Sequence, residues 1–147
     1  MKNNPTPGKI MLMVGGAVLV ISTFLAWFKF DSPFGGDVTE SGLSTDGAPG
    51  LLGIWCLLIG GAVAILTALQ TFAGTNLPAR ILGFTWNQLY LTFGVAAFLI
   101  TFGRQFADNV GFGVTLGWIA SAVLVVGAFM ELQSESRPSS SSMTSQF

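Results

Sequence analysis

Long runs of apolar residues, separated by short polar segments, dominate the pattern along the chain. The clearest run covers residues 50–72 and contains no charged residue. As a helix it would reach roughly 34 Å at about 1.5 Å per residue, enough to cross a hydrocarbon core of about 30 Å. Three further runs repeat this pattern, which therefore predicts four membrane-spanning helices over residues 10–28, 50–72, 81–102 and 111–132. The first run is longer than the about 7 to 15 apolar residues of a signal-peptide core and lacks the A-x-A spacing near its end, so we expect it to remain uncleaved.

The polar segments between these runs predict short connections and exposed ends. Residues 1–9 are a polar N-terminal segment, residues 73–80 a turn whose Pro78 suits the start of the next helix, and residues 103–110 a second turn. Residues 133–147 are rich in serine and too polar to fold alone, which predicts a disordered tail. Because short connections make neighbouring helices antiparallel, we expect an all-α membrane protein with an up-down-up-down four-helix bundle.

One longer outer loop, residues 29–49, joins the first two predicted spans. Its many Gly, Ser, Thr and Asp residues indicate an exposed loop with several turns, and Val38 and Thr39 give a weak signal for a short strand. The spacing of its acidic residues matches no compact calcium loop, so no metal site is expected there. We expect a partly ordered cap, in which four apolar side chains fold back onto the helix ends: Phe30, Phe34, Val38 and Leu43.

Composition supports a membrane protein and suggests its orientation. Hydrophobic residues make up 51% of the chain and charged residues 9%, against about 25% charged residues in an average soluble domain. The formal net charge of -1 gives no indication of nucleic-acid binding. Cytoplasmic segments carry an excess of Lys and Arg, and a cytoplasmic N-terminus collects four cations inside and two outside: Lys2, Lys9, Arg80 and Arg137 against Lys29 and Arg104. We therefore expect a multi-pass protein of the plasma membrane with both termini in the cytoplasm.

Small residues recur at steps of three and four within the predicted spans, where they form one narrow stripe on each helix. Helices in lipid associate through close backbone packing and a few hydrogen bonds, so we expect these stripes to face neighbouring helices. On the third span the stripe begins at Gly83 and ends at Thr101. Gly113 and Gly117 form a G-x-x-x-G motif, for which dimerisation of two copies is the alternative use. The predicted packing residues are Gly53, Gly60, Ala64, Gly94, Gly113, Gly117 and Ser121.

Polar side chains inside the predicted spans are few. No acidic or basic residue lies in the middle of any span, which lowers the expectation of an ion path or a proton relay. Asn87, Gln88 and Tyr90 are candidates for a polar interaction, either an inter-helix hydrogen bond near the inner membrane interface or a polar ligand site. Cys56 falls on the small-residue stripe of the second span and is interpreted as a packing residue. The sequence predicts no catalytic residue, no cofactor and no metal.

Two short segments carry a resemblance to known proteins. The first span ends in STFLAWFKF and is followed by the loop rich in Gly, Ser, Thr and Asp, and the second span opens with GLLGIW. In this layout the chain resembles small four-helix integral membrane proteins of actinobacteria over residues 10–130. The resemblance concerns the architecture and implies no particular activity.

These features favour a non-enzymatic membrane protein that serves as a scaffold or accessory subunit of a membrane complex and presents its outer loop. The alternative is a small permease or channel component that lines a path by oligomerising. A pore would expose the face formed by Asn87, Tyr90 and Thr101 to water, whereas a scaffold would bury it. The expected partners are the lipid bilayer and either a membrane protein complex or further copies of the chain, with no nucleic acid.

Overall fold

Four helices and one small β-hairpin make up the fold. The structure is a computed structural model that describes residues 4–44 and 50–137. Within these residues, three helices are long and apolar enough to cross a membrane: Pro7–Phe24, Leu51–Phe72 and Phe112–Ser136. The expected all-α architecture is thus confirmed in its coarse form, with three helices of sufficient length and hydrophobicity to cross a membrane, and a hairpin adds to it. In chain order the elements are α1 Pro7–Phe24, β1 Ala26–Asp31, β2 Asp37–Ser41, α2 Gly50–Phe72, α3 Trp86–Gln105 and α4 Phe112–Ser136.

Helix α1 begins and ends earlier than the predicted first span. The Thr6 hydroxyl accepts a hydrogen bond from the backbone N–H of Lys9 at 3.3 Å and caps the helix. Pro7 lies in the first turn, where a backbone N–H would have no partner within the helix, so the lack of one in proline costs nothing. The helix ends because Leu25 is extended, with φ -82° and ψ 169°. The apolar residues 26–28, which were predicted to end the span, therefore belong to strand β1.

Strands β1 and β2 form an antiparallel hairpin where the sequence predicts mostly loop. Their register pairs Phe28 with Glu40 and Phe30 with Val38, which places these four side chains on one face of the sheet. The short strand expected at Val38 and Thr39 lies within β2. The last part of the predicted loop, including Asp46, lies outside the described residues.

Helix α3 begins later than the predicted third span. Leu82 and Gly83 have φ angles of 53° and 86°, in the left-handed region that a right-handed helix excludes. Thr85 and Gln88 then form a capping box: the Gln88 N–H donates to the Thr85 hydroxyl at 3.4 Å, and the Thr85 N–H donates to the Gln88 side chain at 3.0 Å. The helix therefore starts after this box, so Gly83 is outside the stripe and Pro78 does not begin the helix.

The bounds of the other two helices differ less from expectation. Helix α2 has the predicted bounds. Helix α4 continues through residues 133–136, which were predicted to belong to the disordered tail, and α3 extends into the predicted turn 103–110. Residues 138–147 lie outside the described residues. Only the first part of the predicted tail is therefore corrected.

The helices form a bundle with three close interfaces and one loose one. Helix α1 packs against α2 and α4, and α4 also packs against α3, whereas α2 and α3 touch little. One end of the bundle, here called the terminal end, holds the start of α1, the end of α2, the start of α3 and the end of α4. The other end carries β1 and β2 and is called the hairpin end. The largest fully buried apolar side chains between the helices are Leu12, Leu19, Val63, Tyr90, Val114 and Leu124.

Candidate functional site

The predicted packing residues of α2 lie against α1 and the segment after β2. A Cβ atom on Gly60 would come within 2.8 Å of the carbonyl oxygen of Gly16, and one on Gly16 within 2.9 Å of the Cβ atom of Ala64. Both distances are shorter than van der Waals contact, so α1 and α2 meet backbone to backbone. Gly53 lies against the backbone of Gly42, where any side chain would overlap the Gly42 carbonyl group.

The interface between α3 and α4 combines one glycine contact with one hydrogen bond. A Cβ atom on Gly94 would lie 3.3 Å from Cγ2 of Val125. The hydroxyl oxygens of Thr101 and Ser121 are 3.1 Å apart and hydrogen-bonded, and both side chains are fully buried. Gly94 and Ser121, both predicted as packing residues, therefore lie on the same interface.

The G-x-x-x-G motif of α4 faces α1 and β1 of the same chain. A Cβ atom on Gly113 would come within 2.7 Å of the Trp27 ring, and one on Gly117 within 3.0 Å of the Ser22 hydroxyl oxygen. Both glycines are buried by these contacts. In this structure the motif serves packing within one chain rather than a face between two copies.

The three polar candidates of α3 lie apart from one another. Asn87 donates from Nδ2 to Oε1 of Glu135 on α4 at 2.7 Å, an inter-helix hydrogen bond at the terminal end. Gln88 is engaged in the capping box. Tyr90 is 2% exposed, and its hydroxyl has no hydrogen-bond partner in the part of the chain that the structure describes. The structure therefore does not join these residues into one site.

Trp27 fastens the hairpin to the bundle. Its side chain is fully buried, and its indole N–H donates to the carbonyl of Ser22 at 2.7 Å. The ring lies between Gly42 and Gly113, and a Cβ atom on either glycine would come within 2.7 Å of a ring carbon. The Trp27 carbonyl also accepts the backbone N–H of Gly111 at 2.9 Å. The hairpin is thus held to α1 and to the start of α4.

A cleft of about 220 Å³ lies between the hairpin and the end of α3. The guanidinium carbon of Arg104 lies 4.4 Å from the centroid of the Phe28 ring, a cation–π distance. Arg104 follows the predicted span and lies near the Asp108 carboxylate. The cation of this hairpin cleft is therefore already used to hold β1 in place. The lining includes Phe28, Phe30, Glu40, Arg104 and Asp108.

The part of the hairpin farthest from the helices is apolar and exposed. Phe34 at its tip is 96% exposed, Val38 50% and Phe30 43%. The expectation that these three side chains fold back onto the helices is therefore wrong, because Trp27 and Phe28 occupy the space at the helix ends and the hairpin extends beyond them. The predicted Leu43 is partly buried. Phe30, Phe34 and Val38 are called the hairpin face below.

A second, polar cleft of about 370 Å³ lies at the terminal end, where every helix contributes to its lining. The connection between α2 and α3 closes one side, and its Pro78 carbonyl accepts the indole N–H of Trp86 at 2.9 Å. The side chains that carry its chemistry are Lys9, Gln70, Asn76, Asn87, Glu131 and Glu135, which together with Trp86 define the terminal cleft.

Of the polar residues of this cleft, sequence reasoning singled out only Asn87 as a site residue; among those it missed, Glu131 is the buried one. It is 6% exposed, and the Thr6 hydroxyl donates a hydrogen bond to its Oε1 atom. Within residues 4–44 and 50–137, no hydrogen bond to its second carboxylate oxygen is found. The signal for this residue was present, because Glu131 is the one acidic residue inside the four predicted spans. Because it lies near a span end, the search for charged residues in the middle of the spans did not include it.

Among the described residues, no group of three or more His, Cys, Asp or Glu side chains is placed to hold a metal ion. No protein-family model, no curated protein and no solved structure matches the chain. Its function therefore has to be inferred from the hairpin face and the two clefts.

Proposed function

We propose that the chain crosses the membrane four times as an up-down-up-down bundle. Helices α2 and α4, both candidate spans, run in the same direction, from the hairpin end to the terminal end. A chain that crosses twice in one direction must return in between, and α3 is the helix that lies between them. Its 20 residues reach about 30 Å, which matches the hydrocarbon core.

We further propose that the protein resides in the plasma membrane with the terminal end in the cytoplasm. The Lys and Arg excess on that side supports this orientation. Single cysteines at Thr39 in β2 and at Ser140, which lies beyond the described residues, test it in a Cys56→Ala background. An impermeant maleimide should label Thr39→Cys in intact cells and Ser140→Cys only after permeabilisation. The reverse pattern would overturn the orientation, and labelling of both would overturn the fourth span.

The role that the geometry supports best is a non-enzymatic scaffold or accessory subunit that holds a partner on the outer side. The observation that carries it is the hairpin face, three exposed apolar side chains on a hairpin that buried Trp27 fixes to the bundle. Exposed apolar groups on a rigid support are typical of protein interaction surfaces. The partner expected here is a membrane protein with an apolar surface in its own outer segment.

The position of the polar face of α3 supports a scaffold rather than a pore. Tyr90 and Thr101 are buried between helices, and Thr101 is bonded to Ser121. Asn87 is bonded to Glu135. A path lined by this face would require breaking the α3–α4 interface, so an oligomeric permease has no support from these contacts.

Co-purification in mild detergent tests the scaffold. The double variant Phe34→Ser with Val38→Thr removes the apolar surface, whereas Lys29→Gln with Thr39→Ser changes the opposite face of the same strands and serves as the control. Quantitative mass spectrometry should show a membrane protein that is lost from the first variant and kept in the second, with the same thermal stability for both. Equal recovery from both variants would mean that the hairpin binds no partner.

A further inference from the structure

The terminal cleft has the size and lining of a small-molecule site. Its volume of about 370 Å³ falls at the lower end of the range of about 300–1,000 Å³ for ligand pockets. Such a volume is much larger than a single metal ion needs, so an organic ligand fits better. Because all four helices and the α2–α3 connection contribute to the cleft, the site exists only in the assembled bundle.

The cleft is lined by charged side chains of both signs. Glu131 and Glu135 lie one helical turn apart on α4, where side chains are neighbours at about 5–6 Å between Cβ atoms. Lys9 reaches the same cleft from α1. The buried Glu131 carboxylate uses one oxygen for Thr6, and Asn87 holds Glu135 through a 2.7 Å hydrogen bond. The cleft thus offers two oriented carboxylates and one ammonium group.

This arrangement is complementary to a zwitterion. A ligand ammonium group gains charge-assisted hydrogen bonds from the two carboxylates, and a ligand phosphate gains the same from the Lys9 ammonium. Donors for further phosphate oxygens come from the side-chain amides of Gln70 and Asn76. The cleft lies at the ends of the helices, at the depth where lipid headgroups are found if the helices span the membrane.

We propose that the terminal cleft binds a phosphoethanolamine group, with its ammonium on Glu131 and Glu135 and its phosphate on Lys9. The group could belong to the headgroup of a phosphatidylethanolamine lipid or to a soluble molecule. This site is separate from the hairpin face, so it does not depend on the proposed partner binding.

Thermal unfolding of the full chain in detergent micelles tests the site. Phosphatidylethanolamine should raise the unfolding midpoint by about 3 to 6 °C at about ten times its Kd, compared with added phosphatidylcholine or phosphatidylglycerol. Phosphatidylcholine has the same phosphate but a quaternary ammonium without N–H donors, and phosphatidylglycerol has no cation. Soluble phosphoethanolamine, tested in parallel, identifies the source: stabilisation by it shows that the headgroup alone suffices, and stabilisation by the lipid alone shows that the lipid is the ligand.

Two variants connect the effect to the cleft. Glu135→Gln and Lys9→Gln should each abolish the selective shift, whereas Asp31→Asn, an exposed acid at the opposite end, should keep it. Glu135 is preferred to the buried Glu131 because its exposed side chain can be changed without disturbing the α1–α4 contact. Equal stabilisation by all three lipids, or a selective shift that survives in both variants, would overturn the proposal.

Discussion

Two adjacent glycines of α2, Gly60 and Gly61, allow the stability cost of crowding the close α1–α2 contact to be measured. In Gly60→Ala, the new Cβ atom would lie 2.8 Å from the carbonyl oxygen of Gly16 and 3.2 Å from the Cβ atom of Leu19. Since the first contact is with backbone, the helices have to move apart, and overpacking of this kind costs about 1–3 kcal/mol. In Gly61→Ala, the nearest neighbour would be Cγ2 of Val20 at 3.9 Å, an ordinary contact.

Both substitutions gain helix propensity of about 1 kcal/mol, so their difference isolates the contact. We expect Gly61→Ala to be neutral or slightly stabilising and Gly60→Ala to be less stable than it by about 1–3 kcal/mol. At about 3 °C per kcal/mol, this gives a difference in unfolding midpoint of about 3 to 9 °C in detergent. Equal midpoints for the two variants would refute the close approach of α1 and α2. Gly16→Ala, on the other side of the same contact, should behave like Gly60→Ala.

Three further predictions concern single hydrogen-bonding groups. Trp27→Phe removes the 2.7 Å indole donor from the Ser22 carbonyl, which keeps the Leu25 N–H at 3.2 Å, and should cost about 0.5–1.5 kcal/mol, with faster hydrogen exchange confined to the hairpin; unchanged exchange there would contradict the anchoring role. Thr101→Val removes the bond to Ser121 and should cost about 0.6 kcal/mol in a detergent melt, with Ser121→Ala giving no additional loss in the double variant. Tyr90→Phe removes a buried hydroxyl that has no partner within the described residues, so stability should stay the same or rise, and a loss comparable to that of Trp27→Phe would show that the hydroxyl is bonded.

The sequence predicted the helices well where length and hydrophobicity decide the structure. Helix α2 has the predicted bounds because a long uncharged apolar run has no other stable conformation in a membrane. The prediction for the first run was wrong at its C-terminal end, since Trp27 and Phe28 suit a buried strand as well as a helix end. The capping-box pattern T-x-x-Q of Thr85 and Gln88 marks the start of α3 in the sequence. The prediction nevertheless began the span at residue 81, because the residues before this pattern are apolar.

The clefts could not be predicted because they depend on which side chains meet across helices. The small-residue stripes indicated which faces pack, but not which helix each face meets. Glu131 and Thr6 are far apart in sequence and come together only because α1 and α4 are neighbours. The hairpin cleft likewise depends on Arg104 reaching Phe28 from another element.

Contacts at both ends of the bundle depend on α4. Helix α3 is not among the three apolar enough to be candidate spans, and its close interface is with α4, so in the proposed four-span bundle α3 would depend on α4 for its stability. The Thr101 and Ser121 hydroxyls also bond the backbone of their own helices, which satisfies them before the two helices meet. The hairpin depends on the same event, since the Lys29 N–H donates to the Asn109 carbonyl just before α4 begins. The hairpin and the terminal cleft therefore both require α4 in place, so a partner or a ligand at either end would recognise only the completed bundle.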